Sequence, residues 1–279
     1  MAKANKGRVW FITGASSGFG RCLAEEILKK GDRVVVTARK PETVKDLEKQ
    51  YPGQALAVKL DVTKKAQIAA AVQKAVGAFK RIDVLINNAG YGLTGAIEDV
   101  ADVAVKRIFD TNVFGLMHMT QAVLPVMRKQ KSGHILNLAS VAGQVGFPTF
   151  GIYNATKFAV EGLSDALAKE IAGFGIKLTI IEPGYFKTDF ASRSIDRTKT
   201  SKAYKELDKQ ITEMFKDLAA APDAGDPRKG ALAMMEAVYS SEPPLRLVLG
   251  AGALGMIREK IEAQRKELDK WQEVSIATV

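Results

Sequence analysis

Tyr153 and Lys157 stand four residues apart in YNATKFAVEGLSDALAKEIAG, a stretch of helical period, so their side chains fall on one face a turn apart. A phenol beside an ammonium can give and take a proton. At roughly 4 Å and an effective dielectric near 20 the attraction is on the order of 4 kcal/mol, or about three pKa units below the phenol's ordinary value near 10. Such a pair suits carbonyl reduction, where charge grows on an oxygen that must be held and protonated. Ser140 ends the run HILNLAS just upstream and offers a hydroxyl for that oxygen. An exposed Tyr and Lys on an amphipathic helix would show the same spacing. Val160, Leu163, Leu167 and Ile171 give this helix a core stripe, which together with Ser140 favours the chemical reading.

A second stretch, TGASSGFG from Thr13 to Gly20, follows the apolar run VWFI and reads two ways. Gly14 to Gly18 fits the G-x-S-x-G of a hydrolase nucleophile elbow, with Ser16 as nucleophile, while Gly14, Gly18 and Gly20 could line a turn around a pyrophosphate. An elbow needs a histidine base and oxyanion donors from another loop. The chain has only His118, inside a long helical stretch, and His134, at the start of a strand, and it has no HGGG-type segment. A strand end leading into a helix start, by contrast, offers backbone N–H groups and the helix dipole to an anion. Ser16, Ser17 and Phe19 are then residues of the turn, binding the ligand or stabilising the loop.

The elements that must carry these groups alternate. RVWFIT, RVVVTA, ALAVKLD, IDVLINNAG, HILNLAS, KLTIIEPG and LRLVLG read as strands, separated by stretches of helical period. That order predicts an α/β chain: a single-domain, Rossmann-like, doubly wound parallel sheet of about seven strands with helices on both faces. One long helix is expected from about Val103 to Lys131, kinked at Pro125. The domain is expected to span 1–279, with an insertion at 185–230 and a charged helix and tail at 253–279. Within the insertion Tyr204, Leu207, Ile211, Met214, Phe215 and Leu218 recur at helical spacing.

Composition narrows the function. With 47% hydrophobic and 26% charged residues and no apolar run near the roughly 20 residues that cross a bilayer, the chain reads as soluble, with no membrane partner and a cytoplasmic location. Its one cysteine, Cys22, cannot form an intramolecular disulfide and reads as a buried apolar residue; with two histidines no metal site is expected. The net charge of +10 is spread among acidic residues, so no nucleic-acid partner is expected.

Beyond the glycines and the Tyr/Lys pair come Asp61-Val62, NNAG at Asn87 to Gly90, Asn112, Ser140 and PGYFKT at Pro183 to Thr188, in order and at the ends of successive elements. The set resembles the short-chain dehydrogenase/reductase family over roughly Val9 to Gly250. The resemblance implies that Tyr153 is the acid/base, Ser140 orients the substrate carbonyl, Lys157 also holds the nicotinamide ribose and Asn112 supports a proton relay through water. It places Asp61 and Val62 at the adenine, Asn88, Ala89 and Gly90 along the cofactor, and Pro183, Gly184 and Thr188 around the carboxamide. It further implies a homodimer or homotetramer.

The end of the second strand reads Thr37-Ala38-Arg39-Lys40, where an NAD site would place a carboxylate for the ribose 2′-hydroxyl. Arg39 can instead grip a phosphate, so NADP(H) is the expected cofactor. Some NADP-using relatives carry a second basic residue just before the middle glycine; here that residue is Ser17. Val141, Gln144, Phe147, Tyr185, Phe186, Met214 and Phe215, with Ser140 and Tyr153, are the candidate substrate pocket, suited to a fairly hydrophobic ketone, aldehyde or alcohol. The runner-up is a protein that keeps the dinucleotide fold, turns nothing over and serves regulation.

Overall fold

The computed structural model describes residues 7–188, 190–220 and 224–279. Seven strands make one parallel sheet: β1 (Val9–Ile12), β2 (Arg33–Ala38), β3 (Ala55–Lys59), β4 (Val84–Asn87), β6 (Gly133–Leu138), β7 (Ile176–Pro183) and β9 (Arg246–Leu249). Their order is β3-β2-β1-β4-β6-β7-β9. The chain winds outward from β1 through β2 to β3, then returns to β4 and winds the other way. The crevice at the carboxyl ends of β1 and β4, where the order reverses, is where such sheets take ligands.

Alternate residues of the strands serve opposite faces. Trp10, Ile12, Val34, Val36 and Ile86 pack under α1 (Gly18–Lys29), α2 (Lys45–Gln50) and α9 (Pro227–Tyr239). Phe11, Val35, Leu85 and Ile135 pack under α3 (Lys65–Phe79), α5 (Leu116–Gln130) and α6 (Gly151–Ile171). Cys22 is half-buried against the first of these faces, and burial pushes its thiol up, leaving it protonated.

Three expectations need correction. The helix expected at 103–131 is broken into α4 (Asp102–Phe109), a π-helical turn at Asp110–Gly115 and α5. Pro125 lies inside α5, so the irregularity falls ten residues and more upstream of it. Gly115 is what lets that turn approach the loop after β3: a Cβ there would meet Val62 Cγ2 at 2.7 Å. On α6, Val160 and Ile171 are buried and Leu167 packs beside them, but Leu163 is 40% exposed, because the side that faces the sheet is narrower than the apolar spacing suggested. Finally, β5 (Gly92–Thr94) and β8 (Ile195–Arg197) form a small parallel pair that the strand reading lacks.

That pair fastens the segment after β7 over the crevice. It comprises α7 (Phe190–Arg193), β8 and, further along, α8 (Lys205–Ala220). Gly92 N donates to Ser194 O at 2.7 Å, Thr198 N to Thr94 O at 2.8 Å, and Ser201 N to the Asp99 carboxylate at 2.8 Å. The exposed Arg107 of α4 adds an ion pair to Asp196.

Candidate active site

The glycine turn is tied to two strands at once. Thr13 Oγ1 accepts from Asn88 N at 2.9 Å and Ala89 N at 3.0 Å, and Ala15 N donates to Thr37 O at 2.8 Å. The Asn88 amide donates to Thr13 O at 2.9 Å and to Gly14 O at 2.7 Å, so both of its protons hold the turn's backbone. Gly14 and Gly18 take φ of +69° and +54°, a region that residues with a Cβ avoid. A Cβ on Gly20 would lie 2.4 Å from Gly14 O and 2.6 Å from Asn88 Nδ2, so only glycine leaves this clasp intact. Ser16 is exposed, and Ser17 occupies the N-cap of α1 without its side chain capping the helix. The first N–H groups of α1 therefore stay available to an anion.

Neither histidine serves Ser16. His134 starts β6, at the far end of the sheet from the turn; burial pushes it down to about 4, so it is neutral. Its Nε2 meets Thr179 Oγ1 at 2.9 Å, and that hydroxyl donates to Pro244 O at 2.7 Å. His118 lies within α5. The turn is thus a backbone cradle and not a nucleophile elbow. Asn88→Ala leaves two carbonyls of the turn without their donors, and we expect dinucleotide affinity to fall about tenfold by fluorescence titration, with kcat at saturation little changed.

At the neighbouring strand ends, Asp61 Oδ1 accepts from Thr63 N at 2.9 Å and Thr63 Oγ1 at 2.7 Å, forming the turn before α3, and Val62 is buried beside it. Arg39, past the end of β2, is exposed and makes no ion pair among the described residues. The Thr188 side chain lies over Gly18, 3.6 Å from where a Cβ would stand, so the segment after β7 touches the glycine turn directly.

Ser140 follows β6. Its Oγ accepts from Ala142 N at 3.1 Å and donates to Pro183 O at 3.4 Å, and its hydroxyl lies close enough to the Tyr153 phenol to favour the phenolate. Tyr153 is 7% exposed, with Phe150 at 6.1 Å and Phe190 at 5.8 Å between ring centres. Lys157 is buried with Nζ 5.7 Å from the phenol ring centre and donates to Leu138 O at 2.6 Å.

This geometry corrects the expected electrostatics. Burial pushes the Tyr153 phenol up to about 12, with the Ser140 hydroxyl pulling the other way, and pushes Lys157 down to about 8, with the Glu161 carboxyl opposing. The Lys157 amine faces a carbonyl and the ring, and desolvation is the largest influence on both groups. The phenol keeps its proton at neutral pH, the state a proton donor requires.

Behind Lys157, Glu161 and Glu182 share a buried site with Arg246, whose Nε lies 3.3 Å from Glu161 and 3.5 Å from Glu182. Burial and the neighbouring Glu182 push Glu161 up to about 8. Gln144 Nε2 donates to Glu182 Oε1 at 3.0 Å, so its amide serves this pair.

The chain matches the short chain dehydrogenase family model over residues 8–199. It belongs to the short-chain dehydrogenase/reductase family. It is 38% identical over 272 residues to Oxidoreductase BOA17 of Botryotinia fuckeliana, covering 97% of this chain and 99% of that one. The crystal structure of a short-chain dehydrogenase from Streptomyces avermitilis superposes with a TM-score of 0.90 at 39% identity, covering 98% of this chain and all of that one (100%). Two further structures hold dinucleotides. A short-chain dehydrogenase/reductase from Burkholderia phymatum is in complex with NAD (27% identity, 93% of this chain and 95% of that one, TM-score 0.79). ElxO has NADP bound (28% identity, 89% and 99%, TM-score 0.74).

Within this short-chain dehydrogenase/reductase, the side chain of Asn112 is committed to structure. Its Nδ2 donates to Tyr91 O at 2.8 Å and Thr156 Oγ1 at 3.2 Å, and its Oδ1 accepts from Tyr91 N at 3.0 Å. It fixes the chain just past Gly90 against α6. Phe186 departs from the pocket expected of it: its ring packs on Phe19 at 4.9 Å and against Gly225 and Gly230, on the α1/α9 side of the sheet. Gln144 likewise faces Glu182. Val141 is buried against Ala253 and Ile257, Phe147 bridges that cluster and the one around Tyr153, and Tyr185 and Met214 are half-buried. The Phe215 and Leu218 side chains lie outside the described residues.

The apolar cluster that holds Tyr153 contains residues that spacing did not single out: Leu93, Phe150, Tyr91, Phe190 and Ile195, with Ile211 of α8. Their signal was faint, since β5 and β8 are three residues long and Phe190 sits in a four-residue helix. Among the described residues no group of three His, Cys, Asp or Glu could hold a metal ion, and no helix is long and apolar enough to cross a membrane.

Proposed function

We propose that this short-chain dehydrogenase/reductase uses NADP(H) to interconvert a fairly hydrophobic ketone or aldehyde with its alcohol. The observation that carries this reading is the buried Tyr153 phenol, which keeps its proton beside the Ser140 hydroxyl, in one apolar cluster with Phe147, Phe150, Phe190 and Ile211. The cradle fits a dinucleotide: Gly20 tolerates no Cβ, the α1 N–H groups are uncapped, and Thr188 reaches the same turn. When bound, the nicotinamide supplies or accepts hydride. Ser140 then holds the substrate oxygen, Tyr153 passes its proton to that oxygen, and Lys157 holds the ribose and steadies the charge left on Tyr153. Tyr185 and Met214 extend the apolar wall. Ser16, Ser17, Asp61, Val62, Ala89, Gly90, Pro183 and Gly184 line the dinucleotide's course, and Arg39 meets a 2′-phosphate.

NADPH consumption with ketones and aldehydes of increasing apolar size tests this directly. We expect turnover that improves with apolar size. Tight NADPH binding without turnover in either direction across the panel would overturn the enzymatic reading in favour of a silent binder.

A further inference from the structure

The final helix, α10 (Ala251–Ile276), carries an apolar seam that is packed at its base and bare from Ile261 onward among the described residues. Its first turns are anchored: Ala253 and Ile257 are buried against Val141, with Val145, Phe147 and Met256 alongside. Beyond Ile257 the helix leaves the body, and Ile261, Leu268 and Trp271 are 58%, 73% and 54% exposed. Leu254, Ile261 and Leu268 are spaced by sevens, and Ile257, Gln264 and Trp271 follow each by three, the a/d seam of a two-helix coiled coil. A projecting helix draws little stability from its own turns, and ion pairs such as Arg265–Glu262 and Arg265–Asp269 add only tenths of a kcal/mol.

Charge identifies the partner. The helix carries five basic and five acidic residues, so it has no net pull towards an acidic lipid surface or a nucleic acid and fits a partner of equally balanced charge. Lys260 and Glu267 flank the seam on one side and make no ion pair among the described residues. Parallel pairing of two copies would set Lys260 beside the other copy's Arg265. Antiparallel pairing sets it beside the other copy's Glu267, twice by symmetry, against Arg258–Arg265 contacts on the opposite flank, so of the two arrangements it alone gains attractive pairs.

We propose that α10 is a dimerisation arm that pairs antiparallel with α10 of a second copy of this chain, through the seam and reciprocal Lys260–Glu267 ion pairs. In that arrangement each arm's Leu268 and Trp271 lie over Leu254 at the base of the other arm. That base is anchored on Val141, next to Ser140, so the second copy buttresses the loop that carries the site's hydroxyl. The pairing stands whether or not the chain reduces ketones.

Light scattering on the full chain at micromolar concentration provides the test. We expect a dimer or a multiple of it, and half that mass for Leu268→Glu/Trp271→Glu with an unchanged circular dichroism spectrum. Lys260→Glu alone should weaken pairing about tenfold, and Lys260→Glu/Glu267→Lys should restore it. A monomeric wild type, an assembly indifferent to the double substitution, or a swap that does not restore pairing overturns the proposal. So does co-flotation with phosphatidylserine vesicles that the same Leu268 and Trp271 changes abolish, since the seam would then belong to lipid.

Discussion

Tyr153→Phe lowers turnover at least a thousandfold and leaves NADPH affinity within about threefold of the parent, the span expected when a proton donor is removed without disturbing its pocket. Only the hydroxyl is lost. The ring contacts with Phe150 and Phe190 remain available to phenylalanine, and Ser140 keeps its bond from Ala142 N. The glycine turn, held by Asn88 and Thr13, does not touch the deleted atom. Stopped turnover with an unchanged melting temperature and an unchanged NADPH titration is therefore the signature. More than a tenth of parental kcat would place the proton donor elsewhere.

Arg39→Ala separates the two dinucleotides. We expect NADPH affinity to fall about thirtyfold, close to 2 kcal/mol for a charge-assisted contact to phosphate, while NADH affinity stays level. The argument rests on what surrounds the site. Ala15 N bonds Thr37 O, which fixes the end of β2 against the glycine turn, and Arg39 follows two residues on with no carboxylate holding it among the described residues. Higher salt should narrow the difference between the two cofactors, because the contact is exposed. A ratio unmoved by Arg39→Ala and moved by Lys40→Ala would assign the grip to Lys40.

The sheet was legible because its central strands are short apolar runs buried on both faces, a pattern that parallel strands require. The order of glycines, NNAG and Ser140 marked the ends of β1, β4 and β6, and the Tyr/Lys pair marked the helix that follows β6. What resisted was set by tertiary contacts. Periodicity cannot register the π turn at Asp110–Gly115, since the residues on either side still repeat helically. Leu163 obeys the apolar spacing of α6 yet faces solvent. Phe186 and Gln144 sit at pocket positions in the sequence, but backbone direction after Pro183 and the Glu182 carboxylate turn them away. The Tyr153 phenol stays high because burial acts on it, a quantity that a four-residue spacing does not carry.

The π turn makes the site dependent on a misfit. Such a turn holds one residue more than an α-helix would, which rotates everything on one side of it relative to the other by about 100°. Asn112 lies within that slip and reaches Tyr91 and Thr156 from it. Removing a single residue from this stretch would regularise the helix and swing the amide off the chain past Gly90. A smoother, more regular protein would result, with its cleft unmade.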